Sequence, residues 1–190
     1  MKRLVLITIL VVVLIGIFWF VFSLNDNTSD EALTQASSNT VGQDNSGRIE
    51  EVESVPGMRQ YIHNYLGFNF LYPERFRVGG FYEGESGEVI LVQSQEGEVN
   101  EGFQIYITPL PEDVTLSPSL IMSELPGTLV DDPKQITLDG AVGIMFESNG
   151  EGFDGKSYEI WFTKAGNLYQ VSSHIDFKTN LQDIIGSWHF

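Results

Sequence analysis

The residues whose types and spacing could do chemistry are few, and glutamates lead them. Glu83, Glu85 and Glu88 share one loop, and Glu96, Glu98 and Glu101 cluster around the next. Together they could offer several oxygens to Ca²⁺, which takes about six to eight. They lack the Asp-rich, Gly-turned spacing of a dedicated calcium loop, and a solubilised hairpin tip accounts for them without a ligand. The three histidines, His63, His174 and His189, form no HxxxH or HExxH pair, so a shared zinc site or triad would need tertiary coincidence. His63 and His174 fall in strands and are expected to be satisfied or solvent-facing. Gly84-Glu85-Ser86-Gly87 is not the nucleophile elbow of a hydrolase, and it lies between strands rather than at a strand-to-helix turn. Gly150, Gly152 and Gly155 precede a strand, so a phosphate there would lack a helix dipole. Tyr158, Trp161 and Tyr169 could make a binding face, but aromatic strand residues usually belong to the core. The sequence therefore assigns no catalytic residue, no cofactor and no metal site.

Charge narrows the partners. The chain of 190 residues carries a net charge of −16 and no cysteine. That excludes a disulfide scaffold, a thiol nucleophile, a thiolate zinc site and a lipid-modified N-terminal Cys. Beyond Leu24 there are 8 basic and 26 acidic residues, and Val78 to Pro133 holds 11 acidic residues and no basic one. Nucleic-acid binding needs a basic patch to neutralise phosphates, and contact with anionic lipid is disfavoured for the same reason.

Next come the elements that must position any site. Leu4 to Leu24 is an uncharged run of 21 residues. As a helix it spans ~31 Å, close to the hydrocarbon core of a bilayer. Lys2 and Arg3 on the short side, with an acidic far side, predict a single-pass anchor in the cell membrane with its N-terminus (1–3) in the cytoplasm. A cleaved signal peptide would have a shorter apolar core and an Ala-x-Ala-like site, which is missing here. Asn25 to Val55 is polar and aperiodic, a flexible tether of ~30 Å typical reach, so 25–58 is assigned as linker. Its Asn27-Thr28-Ser29 matches a glycosylation sequon, a cheap match.

The folded domain is expected over 59–190. Tyr61 to Leu66 pairs with Phe68 to Tyr72 around Gly67, and Val78 to Tyr82 pairs with Val89 to Gln95. Phe103 to Thr108 alternates cleanly. Ser117 before Pro118 is an N-cap followed by the favoured N1 proline, predicting a short helix from Pro118 to Leu125 that Pro126-Gly127 ends. Asp139-Gly140 turns Ile136–Leu138 back into Ala141–Ser148. Ser157 to Lys164 and Leu168 to His174 form a hairpin about Ala165-Gly166-Asn167, where Gly or Asn can take positive φ. Thr179 with Gln182 matches a capping box, and Leu181, Ile184, Ile185 and Trp188 fall on one helical stripe. About eight mostly antiparallel strands and two helices make an α+β domain, with helices packed on one curved sheet.

In this order and spacing three pieces resemble the PsbP-like family, whose fold also covers a Ran-binding nuclear import factor. They are Leu66-Gly67-Phe68-Asn69-Phe70-Leu71-Tyr72-Pro73 followed by Phe76, Leu138-Asp139-Gly140-Ala141 opening a long strand, and Tyr158 to Gln170 before the closing helix and Phe190. The resemblance covers Gln60 to Phe190. It implies an α-β-α sandwich that binds or assembles protein partners, with no shared catalytic apparatus. The anchor and its surroundings differ from plant members, so a photosystem partner does not carry over. The resulting expectation is a membrane-anchored, extracytoplasmic protein-binding module that is not an enzyme. The alternative is a ligand- or Ca²⁺-binding domain, or an enzyme with an unrecognised cleft.

Overall fold

The computed structural model describes residues 47–190, apart from 52–54, 83–86, 97–99, 112–113, 126 and 150–154. The expected anchor Leu4–Leu24 and the tether up to residue 46, with its sequon, lie outside the described residues. Among those described, no helix is long and apolar enough to cross a membrane.

Ten strands are described, all paired antiparallel, in two sheets rather than the single curved sheet expected. The small sheet has the order β1 (Gly47–Glu51), β2 (Met58–His63), β3 (Asn69–Pro73). The large sheet has seven strands. One meander is β4 (Phe76–Tyr82), β5 (Glu88–Ser94) and β6 (Gly102–Pro109). The other is β7 (Asp131–Leu138), β8 (Ala141–Ser148), β9 (Ser157–Lys164) and β10 (Asn167–His174). The two meet only where β10 pairs with β6, giving the order β4-β5-β6-β10-β9-β8-β7.

β1 corrects the linker boundary. Gly47–Glu51 was assigned to the tether, yet it pairs residue for residue with β2, from Gly47 opposite His63 to Glu51 opposite Arg59. Its charged sequence has no apolar alternation, so backbone pairing rather than burial defines it. β7 also exceeds its expected span. It starts at Asp131 and runs through Pro133, which an edge strand tolerates because its outward N–H has no ladder partner to lose. A bulge between Asp131 and Lys134 absorbs the proline.

The turns behave as the sequence predicts, with one exception. Asp139 and Gly140 both have positive φ (43° and 77°), as a two-residue turn matched to strand twist requires. Between β9 and β10 the turn is Ala165-Gly166, with φ of 48° and 74°, and Asn167 already belongs to the strand. An alanine therefore holds a position that favours Gly or Asn.

The main core lies between the large sheet, the small sheet and α2 (Lys178–Gly186). Leu181, Ile184 and Ile185 are buried in it as the helical stripe predicts; Trp188 is buried too, but from the tail, because the helix ends at Gly186 rather than continuing to it. Fully burying each aliphatic side chain contributes roughly 1.5–3 kcal/mol. The capping box is not formed. A 3₁₀ turn, Ile175–Phe177, runs directly into α2, so Phe177 occupies the cap and makes no side-chain bond there. Gln182 instead donates to the Tyr158 hydroxyl at 2.8 Å. After the helix, Ser187 Oγ accepts the Leu71 N–H at 2.8 Å and donates to the Ile184 carbonyl at 2.6 Å. His189 and Asn69 exchange both backbone bonds, and Trp188 stacks on Phe68 at 4.6 Å. The tail thus closes the free edge of β3.

A smaller core occupies the other face of the large sheet. There α1 (Pro118–Glu124), capped by Ser117 as expected, sets Ile121 against Ile144, Phe146, Trp161 and Leu168. The helix ends at Leu125, whose N–H bonds the Ile121 carbonyl.

Candidate functional site

Strand alternation sends Tyr158, Ile160 and Phe162 into the main core, and Ser157, Glu159 and Trp161 to the face under α1. β9 lies inside the sheet with cover on both faces, so its carboxylate has nowhere wet to go. Glu159 is only 8% exposed. Trp161 Nε1–H donates to its Oε2 at 3.1 Å, and Ser172 Oγ–H, directly opposite on β10, donates to the same oxygen at 2.5 Å. On its other side β8 places Phe146 opposite it. No Lys or Arg among the described residues pairs with it. Burial pushes its carboxyl above the usual range, opposed by the hydroxyls of Ser157 and Ser172 and by the indole. The Ser157 hydroxyl is near enough to be felt, yet it is fully buried and makes no hydrogen bond of good geometry. This is a buried carboxyl without a charged partner among the described residues, and nothing in the sequence analysis singles it out. A lone carboxylate inside an aromatic strand, Tyr-Glu-Ile-Trp-Phe, was the available signal.

A second polar centre joins the two sheets. His63 of β2 is buried, and its Nε2–H donates to Glu88 Oε2 of β5 at 3.0 Å. Its Nδ1 accepts the N–H groups of Leu66 at 3.0 Å and Tyr65 at 3.3 Å, and its ring stacks on Phe68 at 4.8 Å. Two backbone donors at Nδ1 fix the neutral Nε2–H form. The imidazole is therefore fully occupied, holding the β2–β3 turn on one side and β5 on the other. Burial, with the Glu88 carboxylate nearby, also pushes the Tyr169 hydroxyl up to about 12.

The other candidates disperse. His174 faces Asp176 at 3.3 Å, and His189 is held through its backbone by Asn69. Among the described residues no group of three His, Asp or Glu could hold a metal. Two members of the acidic cluster have partners from outside the acidic interval: His63 donates a hydrogen bond to Glu88, and Arg75 pairs with Glu101. Glu96 sits in a turn, and Glu83, Glu85 and Glu98 lie outside the described residues, as do Gly84, Ser86, Gly150 and Gly152. Tyr158, Trp161 and Tyr169 are buried, which makes them core rather than a binding face.

No family model and no curated protein matches the sequence. Among solved structures the chain is similar to cyanobacterial PsbP (CyanoP) from Synechocystis sp. PCC 6803. The identity is 18% and the TM-score 0.49, over 71% of this chain and 93% of that one. A Bacteroides thetaiotaomicron VPI-5482 protein is similar at 12% identity and TM-score 0.48, over 71% of this chain. This chain spans about half the length of that protein, 48%. At these values neither likeness carries a statement about partner or activity.

Proposed function

We propose that the protein is a non-catalytic module, anchored in the cell membrane by Leu4–Leu24, that binds a protein partner outside the cytoplasm. The docking surface is the α1 side of the large sheet. One observation carries this reading: the two faces of that sheet are covered unequally. The main core unites the sheet with three further strands and α2, whereas among the described residues the opposite face has only the short α1 and its flanking segments. Three large apolar side chains are left exposed on that side. They are Met122 of α1 (49%), Leu129 of the segment that follows it (51%) and Val142 of β8 (57%). Apolar exposure beside a thin cover fits a partner with an apolar contact patch, and the chain's −16 charge favours a basic rim around it.

A photoreactive residue replacing Val142 in intact cells should give a discrete protein adduct, while the same residue at the exposed Asp183 of α2 should not. Equal labelling at both positions, or none at Val142, would remove the α1 side as the docking surface.

A further inference from the structure

We infer that Glu159 is held as a neutral acid, making the α1 cover of the sheet a proton-controlled element. Its link to docking rests on the function proposed above; the proton itself does not.

Three observations converge. Both good donors to Glu159 act on one oxygen, Oε2, which leaves Oε1 without a donor of good geometry. Ser157 Oγ, two residues away on the same face and 0% exposed, has no hydrogen-bond partner of good geometry, so it gives Oε1 no firm donor to stabilise a charge. Among the described residues no charged group balances an ionised carboxylate. The side chains facing it are the hydroxyls of Ser157 and Ser172, the Trp161 indole and Phe146. The ionisable residue on the same face of β10, His174, is turned to Asp176. Glu147 and Lys178 pair with each other at 2.6 Å, with Glu147 on the opposite face of β8. From the α1 side comes Ile121; the acids of segments 112–113 and 150–154 lie outside the described residues. A carboxyl with hydrogen-bond partners and no countercharge is more stable neutral than ionised in such a site.

The sign follows from burial. The folded domain binds this proton more tightly than the unfolded chain, so the resulting stability is complete below the ordinary glutamate range. It is lost as pH rises through the folded pKa. Phe146 and Trp161, which flank Glu159, share one hydrophobic cluster with Ile121, so opening α1 is the local route to hydrating the ionised group.

The test uses the full-length chain. In an infrared titration, the C=O band of a protonated carboxyl should persist above the pH at which exposed glutamates ionise, and Glu159→Gln should remove it. Hydrogen exchange at the Ile121 and Leu125 amides should then exceed the intrinsic pH dependence, by up to tenfold per pH unit across that interval. In Glu159→Gln it should follow the intrinsic dependence alone. No band unique to the wild type, or identical exchange in the two proteins, would overturn the inference. Should Glu159→Gln not fold, Ser172→Ala decides. Loss of the hydroxyl that donates to Oε2 moves the band's midpoint to higher pH, whereas an unmoved or lowered midpoint refutes the assignment. Neither readout involves a partner, so a failed docking surface leaves this test intact.

Discussion

Replacing His63 by leucine isolates the joint between the sheets. Leucine keeps an apolar body against Phe68 but removes three hydrogen bonds at once. The Leu66 N–H, bonded at 3.0 Å, and the weaker Tyr65 N–H at 3.3 Å lose their acceptor. Glu88, whose side chain is 13% exposed, loses its donor. A part-buried donor left unpaired costs about 1–3 kcal/mol, and the longer Tyr65 bond counts for less. The expected destabilisation is about 2–4 kcal/mol, read from urea unfolding monitored by tryptophan fluorescence. His63→Asn restores an acceptor near Nδ1 for the turn amides and should recover about half of the loss. If His63→Leu stays within about 1 kcal/mol of wild type, the histidine is not the polar joint described here.

Further outcomes are expected elsewhere. Ala165→Asn removes a non-glycine, non-Asx residue from a left-handed position and should stabilise the domain by roughly 0.5–1 kcal/mol, seen as a higher melting temperature. Ile184→Asp should destabilise by about 3–5 kcal/mol, because the side chain is 3% exposed within the main core; a barely shifted melt would mean that α2 does not pack there. Calcium titrated calorimetrically against magnesium should give only a weak, salt-sensitive and unselective response, since Glu88 and Glu101 already have partners in His63 and Arg75. A saturable, calcium-selective isotherm abolished by Glu85→Gln and Glu98→Gln would reverse that view.

What the sequence makes legible is what short-range chemistry dictates. Asp139-Gly140 demands its turn, Ser117-Pro118 starts its helix, and Leu181, Ile184 and Ile185 mark the buried side of α2. The misses come from partners distant in the chain. Gly47–Glu51 is a strand because β2 offers it an edge, and its own residues do not announce it. Thr179 and Gln182 have the spacing of a capping box, but the 3₁₀ turn before them already supplies the cap. Glu159 alternates with core residues and so falls on the other face; that this face is covered depends on Ile121, far upstream. Nothing local to Tyr158–Phe162 reveals whether the opposite face is wet.

The strand order has a kinetic consequence. Every pairing within β4-β5-β6 and within β7-β8-β9-β10 joins neighbours in sequence, so each meander can form from hairpins closing short loops. The register of β10 with β6, from Asn167 opposite Pro109 to Ser173 opposite Phe103, is the one ladder in the large sheet that links distant segments. Folding then divides into two fast local stages and one slow docking, with the intervening α1 segment serving as the loop to be closed. Until that docking, the open edges of β6 and β10 are both adhesive, and β10 of one chain can take the place meant for β10 of another. The same seam leads to the expectation that a chain cut between β6 and β7 rejoins from two pieces, each bringing a complete meander of the large sheet.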